Sequence, residues 1–183
     1  RGNQLFELPV VRLLPQNEWG ASKYDKNGSG DLSREATARC LECHNVWFKQ
    51  TPGTISEYDR QDILLGVTCE KCHGPGRDHV AWHQEHPGAK GGKAIVHPGH
   101  LSRESLMGVC GQCHSNAAKY AAEPFTYTPG EPLEKYFKIL DSPFPEDDHV
   151  ANQDEYLRES KCFQHSEMTC ITCHDPHHRE EVA

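Results

Sequence analysis

Cysteine and histidine recur together four times in this chain of 183 residues. The four segments share the pattern Cys-x-x-Cys-His and occupy residues 40–44, 69–73, 110–114 and 170–174. CxxCH is the attachment signature of c-type haem, in which the two thiols bond to the porphyrin and the histidine is the proximal iron ligand. The sequence therefore predicts four covalent haem c groups, attached through Cys40, Cys43, Cys69, Cys72, Cys110, Cys113, Cys170 and Cys173, with His44, His73, His114 and His174 as proximal ligands.

Zinc is the main alternative, because two CxxC pairs can together form one four-cysteine site. A zinc site does not need a histidine after every pair, whereas all four pairs here have one. A disulfide scaffold fits less well, since 9 cysteines in 183 residues fall below the roughly 8–10% that marks such scaffolds. Haem attachment is the interpretation that explains both residue types.

The composition points the same way. Only 36% of the residues are hydrophobic, so we expect porphyrins to fill the centre that aliphatic side chains would otherwise occupy. The formal net charge of -8 argues against a nucleic-acid partner. No run approaches the roughly 18 apolar residues of a membrane-spanning helix, so no transmembrane segment is expected. The chain starts at Arg1 without a hydrophobic leader, and we interpret it as a processed product or a piece of a longer protein.

The supply of histidine favours a second histidine on each iron. The chain has 13 histidines and 2 methionines, so bis-histidine ligation is expected in preference to the histidine–methionine type. The spacing of His79 from the Gly-Pro-Gly turn, and the surroundings of the other spare histidines, single out four distal candidates: His79, His149, His177 and His97.

Periodicity and turn residues predict a mainly α fold with long irregular loops, a short N-terminal extended or β segment, and haems forming the core. The extended segment covers residues 4–15. Helices are predicted over 33–39, 56–65, 77–86, 102–109 and 152–160, with loops over 87–100 and 124–147. We expect one domain overall, with an N-terminal segment at 1–35 and the tetrahaem part at 36–183.

Two further features lie outside the haem motifs. Residues 25–36 resemble a calcium loop, with Asp25, Asn27, Ser29 and Asp31 as candidate ligands. The position for the bidentate acid holds Ala36, so an ordinary turn before a helix is the alternative. Cys162 has no CxxCH partner and is expected to be a buried free thiol.

Three segments carry a resemblance to a known family. Residues 66–79, 109–114 and 160–177 resemble the multihaem cytochromes related to cytochrome c-554, especially the tetrahaem domains joined to tetratricopeptide repeats. The resemblance implies a mainly helical fold with stacked, mostly bis-histidine haems that pass electrons. It supports His79, His149 and His177 as distal ligands and gives no support to His97. Such chains commonly carry a further CxxCH upstream, so a neighbouring molecule is one source of a distal ligand.

The leading functional hypothesis is a tetrahaem electron carrier, placed in the periplasm or outside the cell, where haem attachment takes place. Its partners would be redox proteins, and it is also a candidate subunit of a homopolymeric filament whose haems continue between copies. The alternative is an oxidoreductase with one open haem site that reduces a small nitrogen or sulfur oxyanion.

Overall fold

The computed structural model describes residues 2–13, 16–22, 25, 28–115, 117–139 and 152–178. Their helices are α1 (Ala38–His44), α2 (Cys69–His73), α3 (Arg77–Glu85), α4 (Arg103–His114), α5 (Gln153–Glu159) and α6 (Lys161–Gln164). Their strands are β1 (Val10–Leu13), β2 (Glu18–Ala21), β3 (Trp47–Gln50), β4 (Tyr58–Leu64), β5 (Ala117–Tyr120) and β6 (Phe137–Ile139). Three short 3₁₀ turns cover Pro98–His100, Leu133–Lys135 and Cys170–Thr172.

The strands form three separate antiparallel pairs, β1–β2, β3–β4 and β5–β6. The first pair lies within the N-terminal region, where residues 4–15 were predicted to be extended, and its pairing runs from Val10 opposite Ala21 to Leu13 opposite Glu18. Two isolated bridges, Gln4 with Glu57 and Phe6 with Glu35, join the same region to the segments on either side of α1.

The helix predicted over residues 56–65 is wrong, because this segment forms β4 and pairs with β3. Ser56 does not cap a helix; its hydroxyl donates to Glu35 at 3.2 Å. Tyr58 is buried, and its ring packs edge-on against Phe48 with centroids 5.5 Å apart. Pairing with a strand that lies outside the segment, together with burial of Tyr58, outweighs the local helix signal.

Helix α4 is the element with the longest buried run among the described residues. The Ser102 hydroxyl accepts from the Ser105 N–H at 3.2 Å, which caps its N-terminus. Two glycines permit close approach on its buried side: a Cβ at Gly111 would lie 3.1 Å from Leu133 Cδ2, and one at Gly108 would lie 3.3 Å from the Tyr127 hydroxyl. A larger residue at Gly111 would push the Leu133 segment away.

Most of the remaining predictions of local structure agree with the structure. The helices predicted over 77–86, 102–109 and 152–160 are confirmed as α3, α4 and α5, and α4 continues through the third motif. The helix predicted over 33–39 begins only at Ala38 and carries the first motif itself. Residues 124–139 contain one 3₁₀ turn and the short strand β6, as expected of a proline-rich segment.

The hydroxyl of Tyr58 provides a test of the packing around β4. It donates to the Ala36 carbonyl at 2.9 Å, and burial raises the pKa of Tyr58 to about 12, so the donor stays protonated at neutral pH. We expect Tyr58→Phe to lower the free energy of unfolding by about 1 kcal/mol, because it leaves that carbonyl without its donor. Chemical denaturation followed by circular dichroism measures the change. Tyr136→Phe, whose hydroxyl bonds to the half-exposed Glu131 side chain, should cost less, and equal losses would contradict this account.

Candidate functional site

Each CxxC pair lies on a single helical turn, which brings its two thiols to the same side. The first three motifs end α1, α2 and α4, so His44, His73 and His114 are the last residues of their helices. The fourth motif begins as a 3₁₀ turn, and the His174 N–H donates to the Cys170 carbonyl at 3.0 Å, which completes the turn. None of the eight motif cysteines is fully buried. This local geometry fits covalent attachment to a porphyrin edge.

The fold brings attachment turns of different motifs into contact. The Cys113 sulfur lies 3.9 Å from the Cys43 carbonyl oxygen, and the Cys43 sulfur lies 4.0 Å from the Gln112 carbonyl oxygen. The Cys170 sulfur lies 3.6 Å from Met107 Sδ of α4. The third motif therefore touches the first motif, and the helix that carries it touches the fourth motif.

The proximal histidine of the second motif is held by its ring and by its backbone. His73 Nδ1 lies 2.8 Å from the Val96 carbonyl oxygen, and the Val96 N–H donates to the His73 carbonyl at 3.0 Å. A neutral imidazole that donates through Nδ1 has its lone pair on Nε2, which is the arrangement that a metal ligand needs. Val96 thus fixes both the tautomer and the direction of the ring.

A cavity of about 1060 Å3 lies beside this motif. Its lining includes Cys69, His73, His79 and His97. His79 Nδ1 lies 2.8 Å from the Lys93 carbonyl oxygen, the same kind of bond that His73 makes with Val96. Two of the predicted distal candidates therefore share a cavity with the thiol and histidine of one attachment motif.

A third candidate approaches the same motif from the C-terminal segment. The rings of His73 and His177 have centroids 6.0 Å apart and planes within 28° of parallel. Two imidazoles on opposite sides of one metal ion have ring centres about 6 Å apart, given metal–nitrogen bonds of about 2 Å. The His177 N–H donates to Asp175 Oδ1 at 2.9 Å, which fixes the turn that carries this ring.

The other sequence-predicted residues are distributed as follows. His44, His114 and His174 are exposed at the ends of their turns. His149 and Asn27 lie outside the described residues. Asp25 accepts from the Ser29 N–H and hydroxyl, each at 2.8 Å, and Asp31 accepts from Ser33, so the described part of the loop has the hydrogen bonds of a turn. Within the described ranges no group of three acidic, histidine or cysteine side chains is arranged for a metal ion, and the calcium site stays a prediction.

Two features of the site were not predicted correctly from sequence. Cys162 is exposed, whereas we expected a buried thiol. The carbonyls of Lys93 and Val96, which orient two histidines, lie in a segment predicted only as a loop. Every residue has a backbone carbonyl, so residue type does not indicate which carbonyl will accept a hydrogen bond from a histidine.

The apolar core of the described residues provides a test of whether large apolar cofactors fit. The buried apolar side chains of the described residues are few: Ala38, Phe48, Tyr58, Leu106, Met107, Val109, Leu133, Phe137 and Phe163. A small apolar core is expected of a chain that folds around porphyrins.

Comparison with known proteins agrees with this chemistry. The family described as Cytochrome c554 and c-prime matches residues 12–74, which include the first two motifs. The chain is 31% identical over 115 residues to cytochrome c-554 of Nitrosomonas europaea, an alignment that covers 55% of this chain and 46% of that protein. The chain is a multihaem c-type cytochrome related to cytochrome c-554. The family's cofactor is covalently bound haem c.

A second relative has a name that denotes an enzyme. This cytochrome is 28% identical over 174 residues to dissimilatory sulfite reductase MccA of Wolinella succinogenes, which covers 86% of this chain and 20% of that protein. The chain thus spans a fifth of the length of the sulfite reductase and about half of the length of cytochrome c-554. No solved structure matches it. Among the described residues, no helix is long and apolar enough to cross a membrane.

The two hydrogen bonds between Val96 and His73 can be tested by removing the backbone N–H of Val96. Val96→Pro lacks the N–H that bonds to the His73 carbonyl, and we expect the ring bond to Nδ1 to weaken with it. A weaker ring bond makes the imidazole less basic, so the reduction potential of one haem should rise. A redox titration monitored by electron paramagnetic resonance (EPR) measures this shift. Val96→Ala keeps both backbone bonds and should leave the reduction potential of every haem unchanged. Equal shifts in the two variants would contradict the role of Val96 in orienting His73.

Proposed function

We propose that this cytochrome carries four covalent haem c groups and transfers electrons along them between redox partner proteins. The observation that carries the proposal is the contact between attachment turns. The Cys113 sulfur lies 3.9 Å from the Cys43 carbonyl oxygen, and the Cys170 sulfur lies 3.6 Å from Met107 Sδ of α4. Haem c, when bound, supplies reversible one-electron chemistry at iron. The chain's own contribution is to attach the groups close together and to set the ligands and surroundings of each.

The order of the groups follows from the same contacts. Covalent attachment fixes each porphyrin edge to its own cysteines, so attachment turns in contact support porphyrin edges in near contact. The turn of the third motif contacts that of the first, and Met107, one turn earlier in α4, contacts Cys170 of the fourth motif. The second motif joins through the Lys71 carbonyl, which accepts from the Gln112 amide at 3.2 Å. We infer that the four haems are all connected and that the haem of the third motif lies next to each of the other three.

Bis-histidine ligation is part of the proposal. The separation of His73 and His177 supports them as the two axial ligands of one iron. His79 and His97 line the cavity beside the second motif and stay candidates for a neighbouring group, as does His149. Full ligation on both sides of each iron suits electron transfer, because it leaves no open position for a substrate.

The fold and the location complete the proposal. We infer a single domain, mainly α with long loops, in which residues 36–183 surround the haems and residues 1–35 form an N-terminal extension. Periplasmic or extracellular placement follows from covalent haem attachment, and the two curated relatives are consistent with a secreted protein. In the filament form of the proposal, a neighbouring copy supplies a distal histidine. Elongated particles in electron micrographs of the native protein would support that form, and uniformly monomeric protein would exclude it.

A second candidate function is reduction of a small sulfur or nitrogen oxyanion at a haem with an open position. The observation that favours it is the similarity to dissimilatory sulfite reductase MccA, which covers most of this chain. It predicts a high-spin ferric EPR signal in the untreated protein, together with oxidation of reduced viologen when sulfite or nitrite is added. A fully low-spin spectrum without turnover would leave the electron carrier as the function.

The pairing of His73 with His177 can be tested by a single substitution. We expect His177→Ala to open one axial position, so that one haem changes from a low-spin to a high-spin ferric EPR signal and gains affinity for cyanide. His178→Ala is the matched control, because His178 is the next residue, is equally exposed and bonds to Asp175. A His177→Ala protein that stays entirely low spin would contradict the pairing.

A further inference from the structure

The residue directly before the second cysteine is buried in three of the four motifs. These spacer residues are Glu42, Lys71 and Gln112, with exposed fractions of 2%, 8% and 3%. The equivalent residue of the fourth motif, Thr172, is exposed. All three buried spacers are polar, and burial of a polar side chain is costly unless it gains partners. Haem attachment uses the cysteines and the histidine, so it does not explain why these spacers face inward.

Gln112 links the third motif to the first and second motifs. Its amide Nε2 donates to the Val109 carbonyl at 2.8 Å and to the Lys71 carbonyl at 3.2 Å. Its own backbone carbonyl accepts from Arg39 Nη2 at 2.6 Å, and Arg39 directly precedes the first motif. One residue of α4 therefore contacts both α1 and α2, and its amide hydrogen bonds lie in the interior, where an unmade bond is costly.

Glu42 links the first motif to the segment that follows α4. Its carboxylate accepts from the Tyr120 hydroxyl at 2.7 Å, from the Phe125 N–H at 2.8 Å and from Arg39 Nη1 at 3.4 Å. The Arg39 guanidinium also lies over the Phe137 ring, 4.8 Å from its centroid. Glu42 is thus a buried carboxylate with both oxygens partnered, the condition under which a buried charge is tolerated.

Lys71 lies between the same helices. Its backbone carbonyl accepts from the Gln112 amide, and the ion pairs of the described residues do not include its side chain. A cavity of about 630 Å3 has Glu42, Lys71 and Gln112 in its lining. The three spacers therefore face one shared space between the first three attachment helices.

We infer that Glu42, Lys71 and Gln112 form an internal joint that fixes the positions of the first three attachment helices relative to one another. They are positioning residues, since they set the distances between haems without contacting iron. The CxxCH spacing determines how each haem meets its own turn, but it cannot determine how one turn lies against another. This inference rests on the proposed function, because the distances between haems matter only if electrons pass between them.

The test uses the purified holoprotein and the variant Gln112→Ala, which removes the amide bonds to α2 and leaves every ligand in place. We expect all four haems to be attached, as counted by intact mass, and the exciton couplet in the Soret circular dichroism to lose amplitude and change shape. Exciton coupling falls steeply with distance, so it reports displacement between haems rather than overall stability. Gln61→Ala, on the exposed side of β4, is the matched control and should keep the wild-type couplet.

The possible outcomes separate this inference from the proposed function. A Gln112→Ala protein with four haems and a wild-type couplet would overturn the positioning role of these residues. The proposed electron transfer would be unaffected. A wild-type protein without any couplet would instead contradict closely spaced haems. If Gln112→Ala does not mature, Gln112→Glu, which has a similar size but lacks the donor, takes its place with the same two outcomes. Failure of both to mature, with Gln61→Ala normal, would also overturn the inference, since the residue would then be needed for folding and not for positioning.

Discussion

The close packing of α4 against its neighbours is the contact on which the rest of the structure depends. This helix buries Leu106, Met107 and Val109, and its two glycines let the Leu133 segment and Tyr127 approach its backbone. Its last turn is also the third CxxCH motif, so the same helix provides part of the small apolar core and two of the motif cysteines. Any displacement of α4 would therefore move this motif as well as the core.

The small core explains why polar contacts have so large a structural role. Few apolar side chains are buried, so the attachment helices are held to one another by hydrogen bonds such as those of Gln112 and Glu42. Such bonds are directional, whereas apolar contacts are not. In the proposed electron carrier, which holds several redox groups at fixed separations, directional contacts between attachment turns are an advantage.

The sequence predicted the chemistry better than the arrangement. The CxxCH motifs and helices α3, α4 and α5 follow from local patterns, namely residue spacing, periodicity and capping. The error at residues 56–65 has a non-local cause, since pairing with β3 decides the conformation of β4. The carbonyls that orient His73 and His79, and the burial of the spacer residues, depend on segments far apart in sequence. No local pattern could have indicated them.

The central claim is that this chain is built around four covalently attached haems. Mass spectrometry of the mature protein under denaturing conditions tests it most directly, because only covalent groups remain on the unfolded chain. The account predicts a single species whose mass exceeds that of the polypeptide by four haem groups. A mass equal to that of the polypeptide alone, or one with fewer than four haems on fully matured protein, would contradict it.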